Sequence, residues 1–169
     1  MTEIVQHVRS HPPQCLDTVD ASPISSILVD RGPDAICFRL SRNSQEACSV
    51  HGYDLAEYIS DHDGPLEFIS PLSLLWPDRH STKIFDSDIH GYHGEFDSSA
   101  KLRGSGSPMP FKCTKCSGES FIVDVQLNFY DDLFEEFDPL EVSDYFHNIV
   151  IYGTCTFCSA PNAILDMDL

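Results

Sequence analysis

Two pairs of cysteines are the residues of this chain whose type and spacing point most directly to chemistry. Cys113 and Cys116 enclose two residues, and Cys155 and Cys158 do the same. One such pair can wrap two thiolates around one side of a metal ion, and two pairs complete the tetrahedral sulfur shell that zinc accepts. The spacing therefore predicts one zinc ion per chain, bound by these four cysteines.

The residues that follow each pair agree with this interpretation. Residues 117–118 are Ser-Gly and residues 159–160 are Ser-Ala, and both are small. The tight turn of a metal knuckle needs small residues so that backbone amides can point at the sulfur atoms. Lys112 and Lys115 flank the first pair and would offset part of the negative charge of a four-thiolate centre.

Extended segments flank both pairs, and this order resembles the zinc-ribbon class of folds. Apolar residues alternate along 121–130, and shorter apolar runs occupy 149–153 and 163–167, as is typical of strands. The resemblance covers residues 108–169 and implies a zinc-ribbon-like C-terminal portion. It departs from a compact ribbon because 38 residues separate Cys116 from Cys155.

The alternatives to a metal site are a redox dithiol and unligated core cysteines. A redox dithiol needs one pair and normally opens a helix, whereas strand-like sequence follows both pairs here. Cys15, Cys37 and Cys48 lie near no catalytic signature, which favours small buried hydrophobes over nucleophiles. Because four thiolates leave no open position for a substrate, we expect the zinc to be structural.

An acidic segment lies between the two cysteine pairs. Seven of the fourteen residues in 131–144 are acidic and none is basic, yet apolar side chains are interspersed among them. The segment is either a solvated face whose aromatic residues pack on the sheet, or a docking surface for a basic protein. The candidate contacts on that surface are Asp131, Asp132, Phe134, Glu135, Glu136, Phe137, Asp138 and Glu141.

A second group of residues offers nitrogen and oxygen ligands for another metal ion. Its members are Asp88, His90, His93 and Glu95. Gly91 and Gly94 make a helix through this stretch unfavourable, so the two histidines would converge only if a bend re-aimed them. The competing interpretation is an ordinary polar loop, because polar residues around glycines are typical of loops.

The net charge narrows the choice of partners. The chain carries 27 acidic and 10 basic residues, a formal charge of −17. Nucleic-acid binding draws its affinity from Lys and Arg, so the charge argues against direct contact with DNA or RNA and favours a basic protein partner. The first residues carry no secretory signal and no apolar run reaches membrane-spanning length, so we expect a cytoplasmic protein.

The rest of the chain predicts an α+β fold made mainly of antiparallel strands with a few short helices. Runs 24–29 and 35–40 enclose a turn and predict a hairpin, and residues 53–60 predict a short helix. Residues 98–110 are rich in Gly, Ser and Pro, as linkers are. The predicted division is an N-terminal lobe at 1–103 and a zinc-ribbon-like lobe at 108–169, unless one continuous domain spans both.

These observations favour a non-enzymatic binding protein. Small size, strong acidity and the lack of a coherent catalytic set suit an immunity protein or inhibitor that shields a basic, nuclease-like toxin. Two alternatives stay open: a metal-dependent enzyme using the Asp88 and His90 group, and an acidic zinc-ribbon accessory factor of transcription or translation. The sequence leaves the oligomeric state undefined.

Overall fold

The fold is a curled sheet of mostly antiparallel strands with a few short helices, as expected from the sequence. The computed structural model describes residues 2–30, 32, 34–90, 101–130, 133, 138 and 142–169. In these residues the strands are β1 Asp20–Ile24, β2 Ala35–Ser41, β3 Ala47–Asp54, β4 Phe68–Leu75, β5 Ser81–Phe85, β6 Met109–Pro110, β7 Phe121–Phe129, β8 Phe146–Cys155 and β9 Pro161–Asp168. The helices are α1 Glu3–Ser10 and α2 Ser87–His90, with 3-10 turns at Gln14–Leu16, Leu55–Glu57 and Val142–Asp144.

Strand β7 lies at the centre of the sheet. One edge of β7 pairs along its length with β8, which continues to β9. The other edge pairs first with β3 at Ile122 and then with β2 from Asp124 to Asn128. Strand β3 leads on to β4 and β5, so the sheet turns through β3 into its second half.

Both faces of β7 are buried, including the face that carries its polar side chains. Val123, Val125 and Leu127 belong to the apolar core, as the alternation predicts. On the opposite face Gln126 and Asn128 are also buried. Their side-chain amides bond to one another at 2.9 Å, which satisfies polar groups that burial would otherwise penalise.

The first predicted strand begins and ends earlier than expected. Strand β1 pairs with β2 in a hairpin but ends at Ile24. The amides of Leu28 and Val29 instead donate to the side-chain oxygen of Gln126, at 2.7 and 3.0 Å. A distant side chain therefore takes the backbone bonds that a longer strand would have used. Similarly, the helix expected at 53–60 is only the 3-10 turn Leu55–Glu57.

The predicted linker is fixed to the sheet where the structure describes it. The amide of Gly104 donates to the Ser70 carbonyl at 2.7 Å, and the Tyr53 hydroxyl donates to the Gly106 carbonyl at 2.9 Å. Hydrogen bonds between β2 and β7 join residues on both sides of the predicted boundary. The division into lobes at 1–103 and 108–169 stays a prediction.

Three aromatic rings connect the two halves of the sheet beside the cysteine pairs. Phe111 packs edge-on against Phe68 and Phe121, with ring centroids 5.1 and 5.6 Å apart. Phe111 and Phe121 flank the first cysteine pair in sequence and are fully buried. Their packing fixes both ends of the segment that carries Cys113 and Cys116. No helix in the described part of the chain has the length and apolar character needed to cross a membrane.

Candidate metal centre

The first cysteine pair forms a tight turn between β6 and β7. The amide of Ser117 donates to the Cys113 carbonyl at 2.8 Å, and the amide of Cys113 donates to the Gly118 carbonyl at 2.8 Å. Ser117 has a φ of 60°, in the left-handed region where a small side chain is tolerated best. We call residues 113–118 the first knuckle.

The second pair forms the turn between β8 and β9 and repeats this pattern. The amide of Ser159 donates to the Cys155 carbonyl at 2.9 Å, and the amide of Cys155 donates to the Ala160 carbonyl at 3.0 Å. Ser159 has a φ of 58°. We call residues 155–160 the second knuckle. The two knuckles are thus the same local structure built twice, as their sequence similarity predicts.

Strand pairing brings the two knuckles together although 38 residues separate them. The chain leaves the first knuckle as β7 and enters the second knuckle from β8, and these strands pair Phe121 with Cys155. The Thr156 amide also donates to the Ser120 carbonyl at 3.0 Å. The two knuckles are therefore adjacent in space despite the long insertion between them in sequence.

The four cysteine sulfurs form one compact group. All four Sγ atoms lie within 4.8 Å of one another. Cys113 Sγ is 3.6 Å from Cys158 Sγ, and Cys116 Sγ is 3.5 Å from Cys155 Sγ. In a tetrahedral zinc site with Zn–S bonds of about 2.3 Å, sulfurs lie about 3.8 Å apart. The group therefore fits a tetrahedral metal ion such as zinc, and the predicted ligand set is brought together in full.

Burial differs across the group and gives it an inner and an outer side. Cys113 and Cys155 are buried, Cys158 is half-buried and Cys116 is exposed. Burial alone would raise the pKa of Cys113. Hydrogen bonds from the amides of Lys115 and Cys116 outweigh burial, and the side chains of Cys158 and Asn162 add to them, lowering this pKa to about 6.

The pKa of the outer cysteine, Cys116, shifts in the opposite direction, because hydrogen bonds with neighbouring thiols disfavour its thiolate. The Gly118 amide favours the thiolate of Cys116, but the side chains of Cys158, Cys155 and Cys113, together with the partial loss of water around the sulfur, prevail and raise its pKa to about 12. Close thiols oppose one another's ionisation unless a cation lies among them. Lys112 does not fill that role, since its Nζ lies 3.8 Å from Glu119 Oε1. A metal ion would supply the positive charge that four thiolates need.

Asn162, on β9, is a site residue that the cysteine spacing did not reveal. Its side chain is buried and contacts both knuckles, with Nδ2 3.6 Å from Cys113 Sγ. The only sequence feature that points to Asn162 is a polar amide just after Pro161 at the start of a strand-like segment, and this is a weak indication of a site residue.

Part of the predicted second metal group lies in a network of ion pairs. Arg103 Nε lies 2.8 Å from Asp88 Oδ2, and His90 Nδ1 accepts the amide of Asp86 at 3.1 Å. Asp86 is fully buried, and its carboxylate pairs with both Arg103 and Lys83. We call these five residues the Asp86 cluster. His93 and Glu95 lie outside the described residues, so the second metal ion stays a prediction.

Of the predicted partner-binding residues, the structure describes Asp138, which is exposed. Asp131, Asp132, Phe134, Glu135, Glu136, Phe137 and Glu141 lie outside the described residues. Within the same segment Leu133 and Val142 are buried, so apolar side chains tie it to the core. The docking surface itself stays a prediction.

The three remaining cysteines have the environment of core residues. Cys15, Cys37 and Cys48 are buried and unbridged. Burial raises the pKa of Cys37 to about 11 and that of Cys48 to about 12, and it raises the pKa of Cys15 further. These thiols stay protonated near neutral pH, which agrees with their interpretation as small hydrophobes.

Comparison of the chain with models of protein families, with curated proteins and with solved structures gave no match.

Proposed function

We propose that this chain is a small acidic protein that binds a basic protein, with one structural zinc ion holding the knuckle end of its sheet. The observation that carries the proposal is the formal charge of −17, since acids stay in large excess after most described bases have paired within the molecule.

Zinc is the metal that the four-cysteine group favours most. Thiolate sulfur is a soft ligand, and a closed shell of four thiolates suits zinc in reducing compartments. Four protein ligands leave no position for a substrate, so the ion would stabilise the fold. The two knuckles beside three paired strands further support a relationship to zinc ribbons in local architecture.

The charge argument depends on where the bases lie. Ion pairs within the chain occupy Arg39, Arg42, Lys83, Arg103 and Lys112. Five of the nine bases that the structure describes are therefore paired with acids of the chain. The large excess of acids is left to define the field around the molecule, which would steer a basic partner toward it.

One described stretch shows this excess clearly. Residues 54–67 hold five acids and no Lys or Arg. Glu57, Asp61 and Asp63 on this stretch are exposed. The Glu67 carboxylate accepts the Asp166 amide, which places the stretch beside β9. Residues 54–67 are therefore a second acidic region, besides the segment at 131–144, to which a basic partner could bind.

A protein that normally binds nucleic acid is the partner class that fits best. Such a protein carries a basic surface, which carboxylates can occupy in place of phosphates. Occupying that surface would block the partner's access to its substrate. The proposed role is therefore that of an inhibitor or immunity protein of a nuclease-like toxin.

The test is capture of partners at low salt followed by release with rising salt. We expect one basic protein to elute at moderate salt, and to bind the purified chain with an affinity that falls as salt increases. Titration calorimetry of the purified pair at two salt concentrations would measure this. An acidic partner, or an affinity independent of salt, would contradict the proposal.

Matched charge variants would locate the surface. Replacing Glu57, Asp61 and Asp63 by their amides removes three charges, and replacing Asp131, Asp132 and Glu135 removes three from the other region. We expect the second set to weaken binding more, because apolar anchors accompany those acids. If the captured partner is a nuclease, stoichiometric loss of its activity would support the inhibitor role.

A further inference from the structure

Asn162 occupies a position between the two knuckles. It lies on β9 just after the second knuckle, and the residue is 3% exposed. Its Oδ1 accepts the backbone amide of Thr114 at 2.9 Å and the Thr114 hydroxyl at 3.0 Å. Its Nδ2 donates to the Ala160 carbonyl at 2.9 Å, the Gly153 carbonyl at 3.4 Å and Cys113 Sγ at 3.6 Å.

These contacts fix which way the side-chain amide points. The backbone N–H of Thr114 can only donate, and the carbonyl of Ala160 can only accept. Turning the amide over would place donor against donor at Thr114 and acceptor against acceptor at Ala160. The NH2 group is therefore held toward Cys113 Sγ by partners that belong to both knuckles.

We propose that Asn162 is a positioning residue for the metal centre. Its oxygen accepts hydrogen bonds from Thr114 of the first knuckle, and its nitrogen donates to the Ala160 carbonyl of the second knuckle. The same NH2 group orients the Cys113 sulfur. Groups that bond to a metal ligand in this way fix its direction, and their loss typically lowers metal affinity about 10–100-fold. The inference rests on the proposal that the four thiolates bind zinc.

Asn148 offers a matched control. It is a second asparagine that is fully buried in the same sheet. Its Nδ2 donates to Asp166 Oδ1 and Asp168 Oδ1, both at 2.9 Å, and its Oδ1 accepts from Asn128 at 2.7 Å. None of these partners belongs to a knuckle. Changing Asn148 thus removes a similarly buried amide without touching the cysteines.

The experiment compares Asn162→Asp, Asn162→Leu and Asn148→Leu with the unchanged protein. Zinc affinity is measured by competition with a chromophoric chelator, and the thiolate-to-metal bands are recorded after loading with cobalt. Asn162→Asp keeps the side chain's size and the Thr114 bonds but replaces the donor with an acceptor. It therefore tests the proposal even if the leucine variant does not fold.

We expect both Asn162 variants to bind zinc about 10–100-fold more weakly and to show altered cobalt bands. Asn148→Leu should keep the cobalt bands of the unchanged protein even if its stability falls, since it leaves the sulfur geometry alone. Cobalt bands in the Asn162 variants that match those of the unchanged protein, with no greater loss of affinity than Asn148→Leu, would overturn the inference. Failure of the unchanged protein to bind either metal would overturn the zinc centre itself.

Discussion

The knuckles and the Asp86 cluster are both compact groups of ionisable side chains, but they obtain their balancing charge differently. In the Asp86 cluster the chain supplies its own cations, because Lys83 and Arg103 pair with the buried carboxylate of Asp86. At the knuckles four thiols converge within 4.8 Å, while Lys112 pairs with Glu119 and Lys115 lies within the first knuckle. One lysine within the knuckles offsets only part of the charge of four thiolates, so this group is the one that would draw a metal ion.

The comparison also shows that suitable ligand residues do not make a metal site unless their ligand atoms converge. Asp88 and His90 are chemically suitable for a metal, yet Asp88 pairs with Arg103 and the His90 Nδ1 accepts a backbone amide. A guanidinium beside a carboxylate competes with a metal ion for the same oxygens. The cysteine sulfurs instead lie within 4.8 Å of one another, because both knuckle turns direct them to the same place.

The largest expected effect comes from changing a knuckle cysteine. Cys116→Ser should abolish zinc binding and unfold the part of the sheet formed by residues 111–169, because structural zinc contributes on the order of 10 kcal/mol to such modules. Metal analysis gives the zinc content, and thermal unfolding followed by circular dichroism gives the stability.

The matched control for this prediction is Cys37→Ser. Cys37 is buried in the core and its Sγ lies 3.5 Å from Gln126 Oε1, so a hydroxyl can make the same contact. We expect a loss of about 1 kcal/mol in the free energy of unfolding and an unchanged zinc content. A Cys116→Ser protein with an unchanged thermal midpoint would show that the knuckles are dispensable.

The sequence predicts the local parts of this comparison well. The cysteine spacing and the small residues after each pair indicate both knuckles, because the turn depends on neighbouring residues. The alternation along 121–129 indicates β7, because a period of two follows directly from strand geometry. Each of these features lies within ten residues and needs no knowledge of the rest of the chain.

The parts that were not predicted depend on contacts between distant segments. Gln126 binds the backbone of Leu28 and Val29, which ends the first strand early. Arg103 reaches Asp88 across fifteen positions of sequence. Asn162 contacts Thr114 across 48 positions. No local sequence pattern marks such partners, because the tertiary structure and not the neighbouring sequence brings them together.

A smaller effect should follow from changing Asp86 to Asn. Breaking a buried ion pair typically costs about 3–5 kcal/mol, and here we expect about 3 kcal/mol because Lys83 and Arg103 are partly exposed and can return to water. The zinc content should not change. Urea unfolding and metal analysis check both points. A second metal ion that disappears in this variant or on replacing His90 and His93 by Ala would instead support the predicted second site.

An effect smaller than that of Asp86→Asn itself is the pH dependence of the stability difference between this variant and the unchanged protein. Burial alone would raise the pKa of Asp86, but the hydrogen bonds from Arg103 and Lys83 outweigh it and lower this pKa to about 2. A carboxylate with a lowered pKa stabilises the fold above its unfolded value, near pH 4, and loses this contribution as the pH falls through 2. The stability gap between the unchanged protein and Asp86→Asn should therefore shrink by about 2 kcal/mol between pH 5 and pH 2. All other titrating groups are common to both proteins, so their contributions largely cancel in urea midpoints measured across this range. A gap that stays constant to pH 2 would mean that Lys83 and Arg103 do not neutralise Asp86 and that the contrast with the knuckles is wrong.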